Sequence, residues 1–212
     1  MESKRFGFWA FKLCGIMIFM FVLQVLINGF TDLFVLDAEK QDEFWRFLTS
    51  VFLHGDAMHL AYNLFALVLF GSILEKLVGS RKFLIVFFAT GILANIFSVN
   101  FYSSSLGASG AIFGIIGALI VVRPMLTVWA FGMPMPIFIA GVLWGVEDVI
   151  GAVGFLTGSP IDNTGNLAHL SGMFVGLIFG GFYRNWKRRR IGFKVKVDES
   201  SVRDWEDFYV KS

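Results

Sequence analysis

Six apolar runs dominate this chain of 212 residues and decide what it can fold into. They cover residues 8–30, 57–78, 83–101, 108–122, 127–156 and 167–183. Hydrocarbon offers no water to backbone N–H and C=O groups, so a segment crossing a bilayer is a helix or part of a closed barrel. These runs are continuous rather than alternating, which selects helices. A span takes about 20 apolar residues, and only the fourth run falls well short. Short and glycine-rich, it is expected to be an inner helix, ringed by the others. Only 16% of the residues are charged and mean hydropathy is +0.70, against about 25% charged in a soluble domain. The expectation is an all-α integral membrane protein, a six-transmembrane-helix bundle with a short central fourth helix. The one cysteine, Cys14, excludes an internal disulfide.

Charge sets the orientation. Lys4, Arg5 and Lys12 open the first run, with Lys12 able to snorkel. Lys76, Arg81 and Lys82 separate the second and third, Arg123 follows the fourth, and Arg184 and Lys187–Arg190 follow the sixth. The intervening loops are acidic or uncharged, including Asp32, Asp37, Glu39, Asp42, Glu43 and Asp56 in the first. Every basic cluster falls on one side, as expected of six spans with both termini cytoplasmic. The second, fourth and sixth spans then begin at the outer face. The domain division is residues 1–184 in the membrane and 185–212 as a polar cytoplasmic tail. Its Arg188–Arg190 run is expected to touch anionic lipid rather than nucleic acid. The first run lacks a small-residue cleavage site and reads as a retained span. No transit peptide is evident, which favours the plasma membrane of a prokaryote. No internal repeat supports a transporter built on inverted halves.

Three chemically active side chains open the even spans. Ser109 stands in Gly107-Ala108-Ser109-Gly110 at the head of the fourth. A serine there can simply be a small residue at a helix contact. A helix start also leaves backbone N–H groups free to receive an oxyanion. His169 opens the sixth span and is followed by Gly172, Gly176 and Gly180. That smooth face matches Gly110, Gly114 and Gly117 on the fourth, and packing the two brings His169 toward Ser109. The imidazole could then act as general base for the hydroxyl. No carboxylate lies at helical spacing from His169, so the expectation is a dyad; Asn166 is its nearest polar neighbour in sequence. His59 and Asn63 share a face of the second span and are either a polar helix contact or donors to an oxyanion. His54, His59 and His169 do not have the local spacing of a zinc site. Glu147 and Asp148 fall in the fifth run, where adjacent acids cannot both face lipid cheaply. Either that helix borders water near its outer end, or both acids lie in a loop. Trp45 and Arg46 suit the membrane interface, the cation by snorkelling.

These motifs together resemble the rhomboid intramembrane serine proteases, from Trp45 to Gly180. Trp45-Arg46, Thr49, Phe52 and His54 resemble that family's first loop. His59 and Asn63 match its HxxxN element, residues 107–110 its GxSG element, and Ala168-His169 with Gly172 and Gly176 its histidine helix. The resemblance implies a rhomboid-like bundle that hydrolyses transmembrane protein substrates near the outer membrane face. Ser109 would be the nucleophile and His169 the base, with His59, Asn63 and the Ser109 N–H receiving the oxyanion. No metal or organic cofactor is required. Glu75 matches a structural carboxylate of the family. Phe113 stands where some relatives have Tyr, able to stack on His169 without offering a hydroxyl. A catalytically dead, client-binding relative is the rival reading, and the intact Ser109–His169 pair argues against it. Composition says nothing of oligomeric state.

Overall fold

The computed structural model describes residues 6–159 and 165–190. Its long helices are α1 (Trp9–Leu26), α2 (Ala57–Val78), α3 (Ser80–Ser98), α4 (Ser109–Val122), α5 (Ile137–Leu156) and α6 (Asn166–Arg190), with short helical turns at Phe30–Phe34 and Arg46–Thr49 in the first loop. Five are long and apolar enough to cross a membrane; α4 is the shorter apolar one. Helix α6 runs on to Arg190, so the first basic residues assigned to the tail continue it. The remainder of that tail, and Asp162 in the loop before α6, lie outside the described residues.

The glycine faces of α4 and α6 meet, as the matching of small residues predicts. A Cβ on Gly172 would strike the carbonyl oxygen of Gly110, and one on Gly176 the carbonyl oxygen of Gly114. In the other direction, a Cβ on Gly117 would strike the carbonyl of Met173. The two backbones are therefore in direct contact, which only small residues allow. On its other side α4 packs on α3, where Gly114 faces Thr90 and Gly110 faces the Ala94 methyl. Ala111, Ile112, Ile115, Ile116, Ala118 and Leu119 are all buried, which makes α4 the inner helix.

Helix α2 holds the bundle to its N-terminus. It widens into a π turn over Leu67–Gly71, and the extra residue re-registers its two halves. The half before the turn carries His59 and Asn63; the half after it carries Glu75. Fully buried, the Glu75 carboxylate accepts from the backbone N–H groups of Gly7 (3.1 Å), Trp9 (3.2 Å) and Ala10 (3.3 Å), and from the Ser80 hydroxyl (2.6 Å). A carboxylate at a helix start satisfies donors that have no partner in the helix and complements its dipole.

Two expectations need correcting. The fifth run does not start a helix at Thr127. Thr127–Ala130 (β3) and Met133–Pro136 (β4) form an antiparallel hairpin, and α5 begins at Ile137. Phe131 and Gly132 turn it with φ of 52° and 76°, and Pro134 cannot donate the hydrogen bond a helix interior needs. Arg46 does not snorkel: it is 3% exposed. Its Nε donates to Glu43 Oε2 (2.7 Å), and Nη1 to the carbonyls of Asp32 and Val35 (both 2.8 Å). A guanidinium with several fixed donors organises a loop better than it anchors to a headgroup. Trp45, beside it, is exposed.

That first loop is folded and tied to the chain before Ser109. Leu36–Asp37 (β1) pairs antiparallel with Ser104–Ser105 (β2). Asn95 of α3 donates to the Phe47 carbonyl (2.8 Å) and the Ser50 hydroxyl (2.9 Å). The Ser50 carbonyl in turn accepts from the Gly107 N–H (2.9 Å).

Candidate active site

Gly107 sets the entry to α4. Its φ is +119°, a region open to glycine and strained for other residues. A Cβ there would also sit 2.8 Å from Cε1 and Nε2 of His59. Two separate reasons thus require glycine one residue before the Ala108 that precedes the serine. Ser109 is the first residue of α4, and no side chain caps that helix start. The backbone N–H groups of the first turn are left for another acceptor.

His59 presents its far edge to this loop. Asp56 caps α2 by accepting from the His59 N–H (2.8 Å). The Gly55 N–H donates to His59 Nδ1 at 3.4 Å. An accepting Nδ1 leaves the ring proton on Nε2, the edge turned toward Gly107. Asn63, one turn on, is buried, and its Nδ2 donates to the His59 carbonyl (2.8 Å). An amide nitrogen carries two donors, so one remains for a ligand. His54 packs edge-on against His59 with ring centroids 5.1 Å apart, held by Gln24, which accepts from its N–H and donates to its carbonyl.

His169 is buried on α6 and fixed on two sides. The Phe113 ring stacks on it, centroids 4.2 Å apart and planes 7° from parallel, as the substitution of Phe for Tyr allows. Its Nδ1 lies 2.9 Å from Asp148 Oδ1 in a buried hydrogen bond. No carboxylate stands at helical spacing from His169 on α6; the structure brings it one from α5. Both acids of α5 are helical, not in a loop, and they diverge. Asp148 turns inward and is 4% exposed, while Glu147 is on the exposed side. The signal in the sequence was an acid interrupting an apolar helix; its partner was not readable.

Ser109, His169, His59 and Asn63 all line one open cleft of about 1130 Å³. Tyr102 and Phe155 form part of its wall. No hydrogen bond joins Ser109 to His169 among the described residues. With Nδ1 engaged and Phe113 on one face, Nε2 is the ring nitrogen of this cleft-lining histidine without a hydrogen-bond partner among the described residues. The arrangement places a hydroxyl, an imidazole and several N–H donors in one open recess at the end of apolar helices.

Comparison with known proteins bears on this. The rhomboid domain model matches residues 41–186. The Rhomboid protease GluP of Bacillus subtilis is 39% identical over 124 residues, which is 54% of this chain and 24% of that protein. The Rhomboid protease GlpG of Haemophilus influenzae is 30% identical over 146 residues, 67% of this chain and 71% of that protein. Inactive RHOMBOID-like protein 8 of Arabidopsis thaliana is 35% identical over 83 residues, 38% of this chain and 24% of that protein. The chain thus covers about a quarter of two of these relatives and about seven-tenths of the third.

Proposed function

The chain belongs to the rhomboid family, and on that premise we propose that it is an intramembrane serine endopeptidase acting on transmembrane protein substrates. The observation that carries the reading is the shared cleft of Ser109, His169, His59 and Asn63, drawn from three helices. Ser109 Oγ attacks the scissile carbonyl carbon while His169 Nε2 takes its proton. The carbonyl oxygen becomes an oxyanion and accepts from His59 Nε2–H, the free Asn63 N–H and the Ser109 backbone N–H. Collapse breaks the C–N bond, and the leaving amine takes the proton from His169. Water from the outer side then hydrolyses the acyl-enzyme by the same path in reverse. The Ser109–His169 contact tightens when substrate enters, as catalytic hydrogen bonds often do. Substrate helices enter from the lipid and unwind locally, because a helical carbonyl is hydrogen-bonded and shielded. Small or helix-breaking residues near the cut assist that unwinding.

The topology proposed with this mechanism is six spans, α4 included, with both termini cytoplasmic. The cleft then opens toward the outer face, with residues 1–184 as the membrane unit. A prokaryotic plasma membrane is the proposed setting. The first loop, with Phe44, Trp45 and Leu48 exposed, rests on the outer leaflet.

The test uses purified protein in liposomes with a panel of single-span substrates. The wild type is expected to cleave and to label at Ser109 with a fluorophosphonate, and Ser109→Ala to do neither while remaining folded. Cleavage by purified Ser109→Ala refutes the nucleophile assignment. Absence of both cleavage and labelling in the wild type favours a client-binding member instead.

A further inference from the structure

We propose that Asp148 makes this site a triad: it is a positioning residue that holds His169 in the tautomer able to take the proton of Ser109. The proposal rests on the Ser109–His169 reading above and adds a third group to it. Helix α5 is apolar over most of its length, and an acid inside such a helix is expensive to keep. Asp148 is 4% exposed, and its one hydrogen bond among the described residues is the 2.9 Å contact from Oδ1 to His169 Nδ1. Oδ2 has no partner among them. The carboxylate is thus directed at the imidazole.

The chemistry follows from what each atom can do. An ionised carboxylate only accepts hydrogen bonds. Paired with it, Nδ1 carries the ring proton and donates, which leaves Nε2 with a lone pair in the cleft that Ser109 lines. The opposite tautomer would point an N–H at Ser109 and could not act as base. When Nε2 takes the serine proton the ring becomes an imidazolium, and the carboxylate beside it offsets that charge where little water reaches. Asp148 takes up no proton in the step; the proton moves from Oγ to Nε2 and later to the leaving amine. Phe113 stacked at 4.2 Å restrains tilt, and the carboxylate restrains rotation in the ring plane. Phe113 has no hydroxyl to orient a hydrogen bond, so the polar restraint on this imidazole comes from α5.

Two measurements decide it. The first is 15N spectroscopy of wild-type protein labelled in its three histidines, with His169 assigned by its loss in His169→Ala. Nδ1–H is the expected neutral tautomer; Nε2–H overturns the proposal, and no variant of Asp148 need fold for this reading. The second is the kinetics of Asp148→Asn in liposomes. The amide can turn its NH2 toward Nδ1 and leave the proton on Nε2. We expect kcat to fall by roughly a hundred- to ten-thousand-fold with KM little changed, because removing a triad carboxylate acts on the transition state. Loss of thermal stability with kcat within about threefold of wild type marks Asp148 as a structural tie between α5 and α6 and overturns the proposal. Inactive Ser109→Ala beside fully active Asp148→Asn refutes only the triad; active Ser109→Ala refutes the underlying reading.

Discussion

Adding one methyl group at Gly176 should uncouple the base from the nucleophile without touching either. A Cβ there would lie 2.7 Å from the carbonyl carbon and 2.8 Å from the Cα of Gly114, and closer still to its oxygen. Carbon atoms rest about 3.5–4.0 Å apart, so α4 and α6 must part locally by about 1 Å. The obstruction is backbone and cannot swing aside. Overpacking of this kind costs about 1–3 kcal/mol. His169 stands about two turns from Gly176 on the same face, and Ser109 opens the helix that is pushed away. A 1 Å misplacement of catalytic groups costs on the order of 100-fold in rate. Gly176→Ala is therefore expected to lower kcat/KM about 10- to 100-fold and to lower the melting temperature in detergent. Gly181→Ala is the control, because nothing lies within 4 Å of a Cβ at that position. It should leave activity unchanged and stabilise α6 by up to about 1 kcal/mol. Wild-type kcat/KM and melting in Gly176→Ala would show that the two helices do not meet as described.

Two other outcomes follow from buried polar groups outside the cleft lining. Glu75→Ala removes the side-chain acceptor of the Trp9 and Ala10 N–H groups and leaves the Gly7 N–H to the Ser80 hydroxyl oxygen alone. It should destabilise the protein by about 3–5 kcal/mol while kcat of the surviving folded fraction stays near wild type; unfolding midpoints within experimental error of each other would contradict this. His54 is 1% exposed, and both ring nitrogens lack partners among the described residues. Burial, and then the neighbouring His59, push its pKa down to about 4. The folded state thus binds this proton less readily than the unfolded one, so stability is complete above about pH 6.5 and falls as pH drops toward 4, by about 3 kcal/mol in all. Thermal unfolding of His54→Phe between pH 7.5 and 4.5 should show a flatter dependence than the wild type, and parallel curves would rule His54 out as the titrating group.

Much of the framework was readable from the one-dimensional pattern. Long apolar runs mark the membrane helices, because hydrocarbon leaves the backbone no other partner. The glycines at spacings of three and four on two runs predicted the α4–α6 contact, since that period stacks small residues on one face. The same contact brings His169 to the cleft that Ser109 lines. The hairpin at residues 127–136 was hidden by its apolarity, although Pro134, Pro136 and Gly132 were there to announce it. Arg46 was misjudged because burial of a cation depends on carbonyls of Asp32 and Val35, which no spacing rule connects to it.

The decisive difference lies in Asp148. Periodicity along one helix reports which of its faces is smooth or polar, so Ser109, His169, His59 and Asn63 could be placed near the heads of the even runs, where the fold turns them into one cleft. It does not report how a helix such as α5, with no matching glycine face, is rotated about its own axis or what it turns toward its neighbours. The meeting of Asp148 with His169 depends on the rotation of α5 after a hairpin of its own, and on α6 being drawn against α4. Local spacing is written in the chain; the phase between helices comes only from packing them all at once.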